Sequence, residues 1–164
     1  PIRDESGAFA GLADSESMVG AALISAAEGQ SKRASDLLTQ VGDDDSLMVE
    51  VGRAVVDLLG GTGGSAGQTV QELSQRTTPA EVETLVNSFG FGLLRSDKAE
   101  EAVEVFKFNT RAFPEAYNTW DSLGEALMSL GQNDEAIRCF EKTLELNDNN
   151  RSAKEALAKL KEKQ

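Results

Sequence analysis

The spacing of its glycines constrains this chain more than any other feature. Gly20, Gly52, Gly90 and Gly124 recur at intervals of 32, 38 and 34 residues. A period in that range marks stacked helical hairpins, each too small to bury its apolar face alone. The last interval carries the most agreement: a shift of 34 superimposes Gly90 on Gly124, Leu93 on Leu127, Ala102 on Ala136 and Phe106 on Phe140. Helical spacing supplies the rest. Val82, Leu85, Val86, Phe89, Leu93 and Leu94 fall on one stripe, followed by Ala99, Ala102, Val103 and Phe106 on the next. Trp120, Leu123, Leu127 and Leu130, then Ala136, Ile137, Phe140 and Leu144, repeat the order.

Local start and stop signals agree. Thr78-Pro79-Ala80-Glu81 offers an N-cap, a proline at the first helical position and a capping-box glutamate. Asp97 followed by Glu100 predicts a similar cap one helix later. Pro114 then closes the unit, because proline cannot continue a helix.

These positions resemble the tetratricopeptide repeat, a 34-residue helix-turn-helix unit. Residues 117–150 hold Trp120, Leu123, Gly124, Ala136 and Phe140 in that register and depart with Leu127, Thr143 and Asp148. Residues 83–116 keep Gly90, Ala102, Phe106 and Pro114, with Val86 and Phe89 at the first two places. The resemblance implies an all-α, right-handed α-solenoid of helix-turn-helix repeats. Residues 80–150 are then two tetratricopeptide repeats, and residues 14–79 two divergent hairpins of similar order. Eight of the nine aromatics lie between Phe89 and Phe140, so the first half must pack with Ala, Val and Leu. Residues 151–164 read as a capping helix with Ala153, Ala156, Leu157 and Leu160 inward, and residues 1–13, which lack a period, as a flexible arm.

Composition narrows the function. A net charge of −12 argues against nucleic acid and anionic membrane as partners, both of which are held through Lys and Arg. No apolar run is long enough for membrane insertion. The chain has no histidine and one cysteine, which removes Ser-His-Asp and Cys-His machinery, histidine and cysteine metal sites and an internal disulfide. Cys139, beside Phe140, reads as a buried apolar residue. No cofactor or metal is implied. Beginning at Pro1 without a leader pattern, the sequence reads as a piece of something longer, so the compartment, cytoplasmic or periplasmic, stays open.

One stretch imitates chemistry. Leu58 to Thr69 reads LLGGTGGSAGQT, in which GGSAG satisfies the nucleophile-elbow pattern around Ser65 and TGGSAGQT approaches a phosphate-binding loop. The elbow needs a strand before the serine and a histidine elsewhere, and the phosphate loop needs a lysine where Gln68 stands. The stretch therefore reads as a glycine-rich connection inside the second hairpin, whose length helps explain the 38-residue interval. DDDS at 43–46 lacks the calcium-loop pattern and reads as an aspartate cap before a helix.

In the tetratricopeptide family the first helix of each unit lines a concave groove through its second, fifth, ninth and twelfth positions. The resemblance puts Thr84, Asn87, Phe91 and Leu94, then Asn118, Asp121, Glu125 and Met128, in a peptide-binding groove. Asn amides suit an extended peptide, the apolar members suit apolar contact, and Asp121 with Glu125 favours a basic group. The cations of the family's carboxylate clamp are missing, and Phe91 stands where its asparagine would be. The expected function is a non-catalytic scaffold for a protein or peptide, basic or apolar, with self-association left open.

A narrower resemblance points elsewhere. Residues 80–150, with NTWDSLGEA as the distinctive piece, are similar to the C-terminal repeat segment of bacterial serine hydrolases of the β-lactamase type. Their S-x-x-K does not occur in this chain, and Ser96-Asp97-Lys98 echoes another of their motifs within a predicted turn. That kinship implies a regulatory or substrate-positioning module without the catalyst.

Overall fold

The computed structural model describes residues 14–61 and 65–162. The expected arm at 1–13, the TGG of the glycine-rich connection and the last two residues lie outside them. Among the described residues there are nine α-helices and no strand: α1 (Ser15–Ala27), α2 (Ser31–Val41), α3 (Leu47–Leu59), α4 (Ala66–Arg76), α5 (Pro79–Arg95), α6 (Ala99–Ala112), α7 (Tyr117–Ser129), α8 (Asn133–Leu146) and α9 (Arg151–Lys161). They pack as successive antiparallel pairs, α1 on α2 through α7 on α8, with α9 against α8. Odd-numbered helices also touch in sequence, α1 to α3 to α5 to α7, and so form one layer of a two-layer stack. The result is an all-α solenoid of helix-turn-helix hairpins.

The turn inside each hairpin is set by one residue in the left-handed region. Gly29 (φ 71°), Gly61 (φ 80°), Asp97 (φ 57°) and Gly131 (φ 73°) occupy it, at intervals of 32, 36 and 34 residues. Aspartate tolerates this conformation better than most residues. The following amide closes the turn onto the fifth residue back: Gln30 N–H donates to the Ser25 carbonyl at 2.8 Å, Lys98 to Leu93 at 3.0 Å and Gln132 to Leu127 at 2.9 Å. Asp97 is thus a turn residue, and the expected Asp97 cap is not there: Lys98 takes the N-cap position of α6 without a side-chain bond. The Thr78 box is complete, with Glu81 N–H donating to Thr78 Oγ1 at 3.3 Å and Thr78 N–H donating to Glu81 Oε2 at 3.0 Å.

Counted from these turns, the four glycines are not one series. The residue seven places before the turn is where the two helices of a hairpin cross, and it is Ala22, Ala54, Gly90 and Gly124 in the four hairpins, all buried. A Cβ on Gly90 would stand 2.5 Å from the Phe106 ring, and one on Gly124 2.7 Å from Phe140. Gly52, two residues before its hairpin's crossing point, admits other neighbours: a Cβ there would collide with Val19 of α1 and reach Phe89 of α5 at 3.1 Å. Gly20 faces open space.

The long interval also has a different source. Gly61 to Arg76 spans the same fifteen residues as Asp97 to Ala112 and Gly131 to Leu146, so the glycine-rich stretch adds no length. Instead α5 has 17 residues where α1, α3 and α7 have 13, and the connection before it is two residues, Thr77 and Thr78, instead of the four between α6 and α7. Four gained and two lost give the two residues by which the Gly61–Asp97 interval exceeds 34, and the other two of the 38 arise because Gly52 stands two places before Ala54. The capping box therefore starts an additional helical turn, Pro79–Val82, that projects beyond its counterparts.

Candidate peptide-binding face

Two of the eight groove positions named from the sequence have an acceptor with nothing to accept. Asn87 on α5 and Asp121 on α7 stand 34 residues apart at the same place in successive units, and the Oδ1 of each is buried without a hydrogen-bond partner among the described residues. Such an atom costs the fold about 1–3 kcal/mol of desolvation unless a donor arrives. The other oxygen of Asp121 accepts from Asn150 Nδ2 at 3.4 Å, and Glu125 Oε1 accepts from Ser152 Oγ at 3.4 Å, both long bonds from the start of α9. Burial raises the carboxyl pKa of Asp121, and burial with the Asp121 charge raises that of Glu125. Two half-buried carboxylates that disfavour their own charge, one turn apart, would be relieved by a cation.

The other positions divide. Phe91 lies edge-on to Phe106, ring centroids 5.2 Å apart at 68°, and is half-buried with Leu94 and Met128. Thr84 is exposed. Asn118 is engaged within the protein: its Nδ2 donates to both carboxylate oxygens of Glu83, at 2.8 and 2.9 Å.

Glu83 itself was not singled out in the sequence. It is 4 % exposed, and Asn109 Nδ2 of α6 donates to its backbone carbonyl at 3.2 Å and to its Oε1 at 3.5 Å. A buried carboxylate thus ties α5 to α6 and α7 with no cation beside it among the described residues. The amide donors of Asn109 and Asn118 supply its hydrogen bonds instead. A signal existed: Glu83 shares one helical stripe with Val86, Gly90 and Leu93, all buried, where a charge is out of place. The first hairpins contribute as well. A hollow of about 500 Å³ runs along the odd-helix layer between Ile24 of α1, Met48 of α3 and Leu85, Ser88 and Phe89 of α5.

The imitations of chemistry resolve locally. Ser65 takes the N-cap position of α4, and the last element described before it is the helix α3, not the strand that a nucleophile elbow requires. Asp44 accepts from Ser46 N–H at 3.0 Å, and Ser46, not an aspartate, takes the N-cap position of α3. Lys98 pairs with Glu28 at 3.6 Å across to the first hairpin. The Cys139 thiol is buried, and burial pushes its pKa up to about 11, which keeps it protonated and unreactive. Among the described residues, no three His, Cys, Asp or Glu side chains are grouped to hold a metal ion, and no helix is long and apolar enough to cross a membrane.

Residues 117–150 match the family model described as tetratricopeptide repeat. No curated protein sequence matches the chain. Among solved structures, the chain is similar to pilF of Pseudomonas aeruginosa, at 21% identity over 91% of this chain and 68% of that one, with a TM-score of 0.50. A crystal structure of the MamA protein aligns at 16% identity over 90% and 81%, also with a TM-score of 0.50. A second MamA structure, AMB-1, gives 23% identity over 91% and 81% with a TM-score of 0.49. At such identities the likeness speaks to fold alone. None of these matches shows the kinship with β-lactamase-type hydrolases. What the hairpin stack and the matched segment establish together is an all-α solenoid that carries a tetratricopeptide repeat at residues 117–150.

Proposed function

We propose that this chain is a non-catalytic scaffold that binds an extended segment of a protein partner along the odd-helix layer. In this reading α1–α4 are two divergent hairpins, α5–α8 two tetratricopeptide repeats and α9 the cap. The observation that carries it is the pair of orphaned acceptors at one repeat position, Asn87 Oδ1 and Asp121 Oδ1. A peptide laid across α5 and α7 supplies donors at the repeat spacing, from its backbone amides to Asn87 and from a basic side chain to Asp121 and Glu125. Phe91, Leu94 and Met128 offer it apolar contact. The surplus negative charge of the chain speeds the encounter with a basic partner and makes it salt-sensitive.

Panning a random-peptide display library on the wild type, with counter-panning on Asn87→Ala/Glu125→Lys, tests this. Lysine- and arginine-bearing peptides should be enriched on the wild type and lost from the double variant, with helicity by circular dichroism unchanged. Enriched peptides that bind both proteins equally well would refute the reading.

A further inference from the structure

The additional turn of α5 builds a second pocket. Pro79 and Ala80 from that turn face the segment Phe113–Asn118, which leads into and begins α7, across an open cleft of about 380 Å³. The walls are largely apolar, formed by Pro79, Ala80, Phe113, Pro114 and Tyr117. Tyr117, at 41 % exposed, is the one exposed large hydrophobic residue among those described. Lining the same pocket is Glu83, the buried carboxylate without a cation.

We propose that this pocket is a lysine-anchoring site for a protein partner. An apolar cleft with an uncompensated carboxylate complements an apolar stem that ends in a positive charge, and an aromatic wall adds cation–π attraction. Hydrogen-bond geometry selects the cation. An ionised carboxylate has about four lone-pair sites. Asn118 Nδ2 contacts both oxygens, and Asn109 Nδ2 takes another site on Oε1. The bridging Asn118 amide occupies the approach that the two-pronged guanidinium of arginine uses. One site on Oε2 remains, which suits a single N–H of an ammonium group. The inference extends the scaffold reading and rests on it for the existence of a basic partner, but it uses different side chains from Asp121 and Glu125.

The test is a titration of the isotope-labelled full chain with acetyl-Gly-Lys-Gly-amide and with its arginine counterpart, followed by amide chemical shifts. The lysine peptide should move the Tyr117 backbone and Asn118 side-chain signals, and the arginine peptide should bind there at least about tenfold more weakly, the loss of one charge-assisted hydrogen bond. Glu83→Gln keeps an oxygen for the Asn118 amide but no charge, and should weaken the lysine peptide by a similar factor. Because a buried position can fail to fold when changed, Ala80→Trp, which fills the pocket from an exposed position, should abolish the same shifts. Equal binding by the two peptides, undiminished binding to Glu83→Gln or Ala80→Trp, or no shift at Tyr117 and Asn118 would overturn the proposal. Shifts confined to Asp121 and Glu125 would overturn the pocket while supporting the groove.

Discussion

The two ends of this molecule solve one packing problem with opposite choices of size. In each hairpin a residue on the first helix sits at the crossing, and sixteen residues on comes a residue of the second helix. In the last two hairpins the pairs are Gly90 with Phe106 and Gly124 with Phe140, nothing against a ring. In the first two the same places hold Ala22 and Leu38, then Ala54 and Val70. A methyl gained on one side is matched by a smaller side chain on the other, so the summed volume changes less than either residue does. The aromatic version buries more apolar area per hairpin, and Phe106 and Phe140 are both fully buried. The aliphatic version leaves room of another kind: with only a hydrogen at Gly52, α1 and α5 touch across α3.

The largest break of this contrast is Phe140→Ala, which should cost about 3–5 kcal/mol in urea-induced unfolding, because the glycine opposite cannot fill the cavity. Next is Gly124→Ala, expected to cost about 1–3 kcal/mol by overpacking against the ring. Adding Phe140→Leu to it converts the pair into the form of the first hairpin, and should recover part of the loss in a double-mutant cycle. A purely additive cycle would show that the exchange of volumes is not what relates the two halves. Gly20→Ala, in open space within α1, should stabilise by about 0.5–1 kcal/mol, whereas Gly52→Ala, against the stiff Val19, should destabilise. If the two change stability alike, the equivalence of the glycine series is restored.

The smallest expected effect separates the ends electrostatically. The raised carboxyl pKa values of Asp121 and Glu125 mean that their ionised forms burden the native state at neutral pH. That burden is complete above the raised native pKa and vanishes as pH falls below the unfolded one, about 4. Asp121→Asn/Glu125→Gln should therefore melt higher than wild type at pH 7, with the difference closing on acidification to about pH 3. Melting curves at the two pH values measure it.

The sequence made the second half legible because its markers are rare residues: Trp120, the phenylalanines and a proline-led capping box fix the register almost unaided. In the first half the crossing residues are alanines among many alanines, and the more conspicuous Gly20 and Gly52 drew the register two places off. Asp97 read as a cap because aspartate serves both caps and left-handed turns, and only the backbone angle separates them. Glu83 stayed hidden for a different reason. Its burial depends on Asn109 and Asn118, 26 and 35 residues further on, and nothing local announces such a partnership.

That partnership bears on how the solenoid comes apart. Stacked repeats behave as a chain of units linked by nearest-neighbour terms, and apolar faces alone allow a neighbour to slide or peel away gradually. The Glu83 carboxylate adds a directional link: sliding or separating α7 from α5 breaks the Asn118 amide's contacts with both of its oxygens at once. The last two hairpins should therefore open together in hydrogen exchange as one cooperative block, while α1 and α2 fray first. In that outcome a single side chain joins two adjacent hairpins into one folding unit.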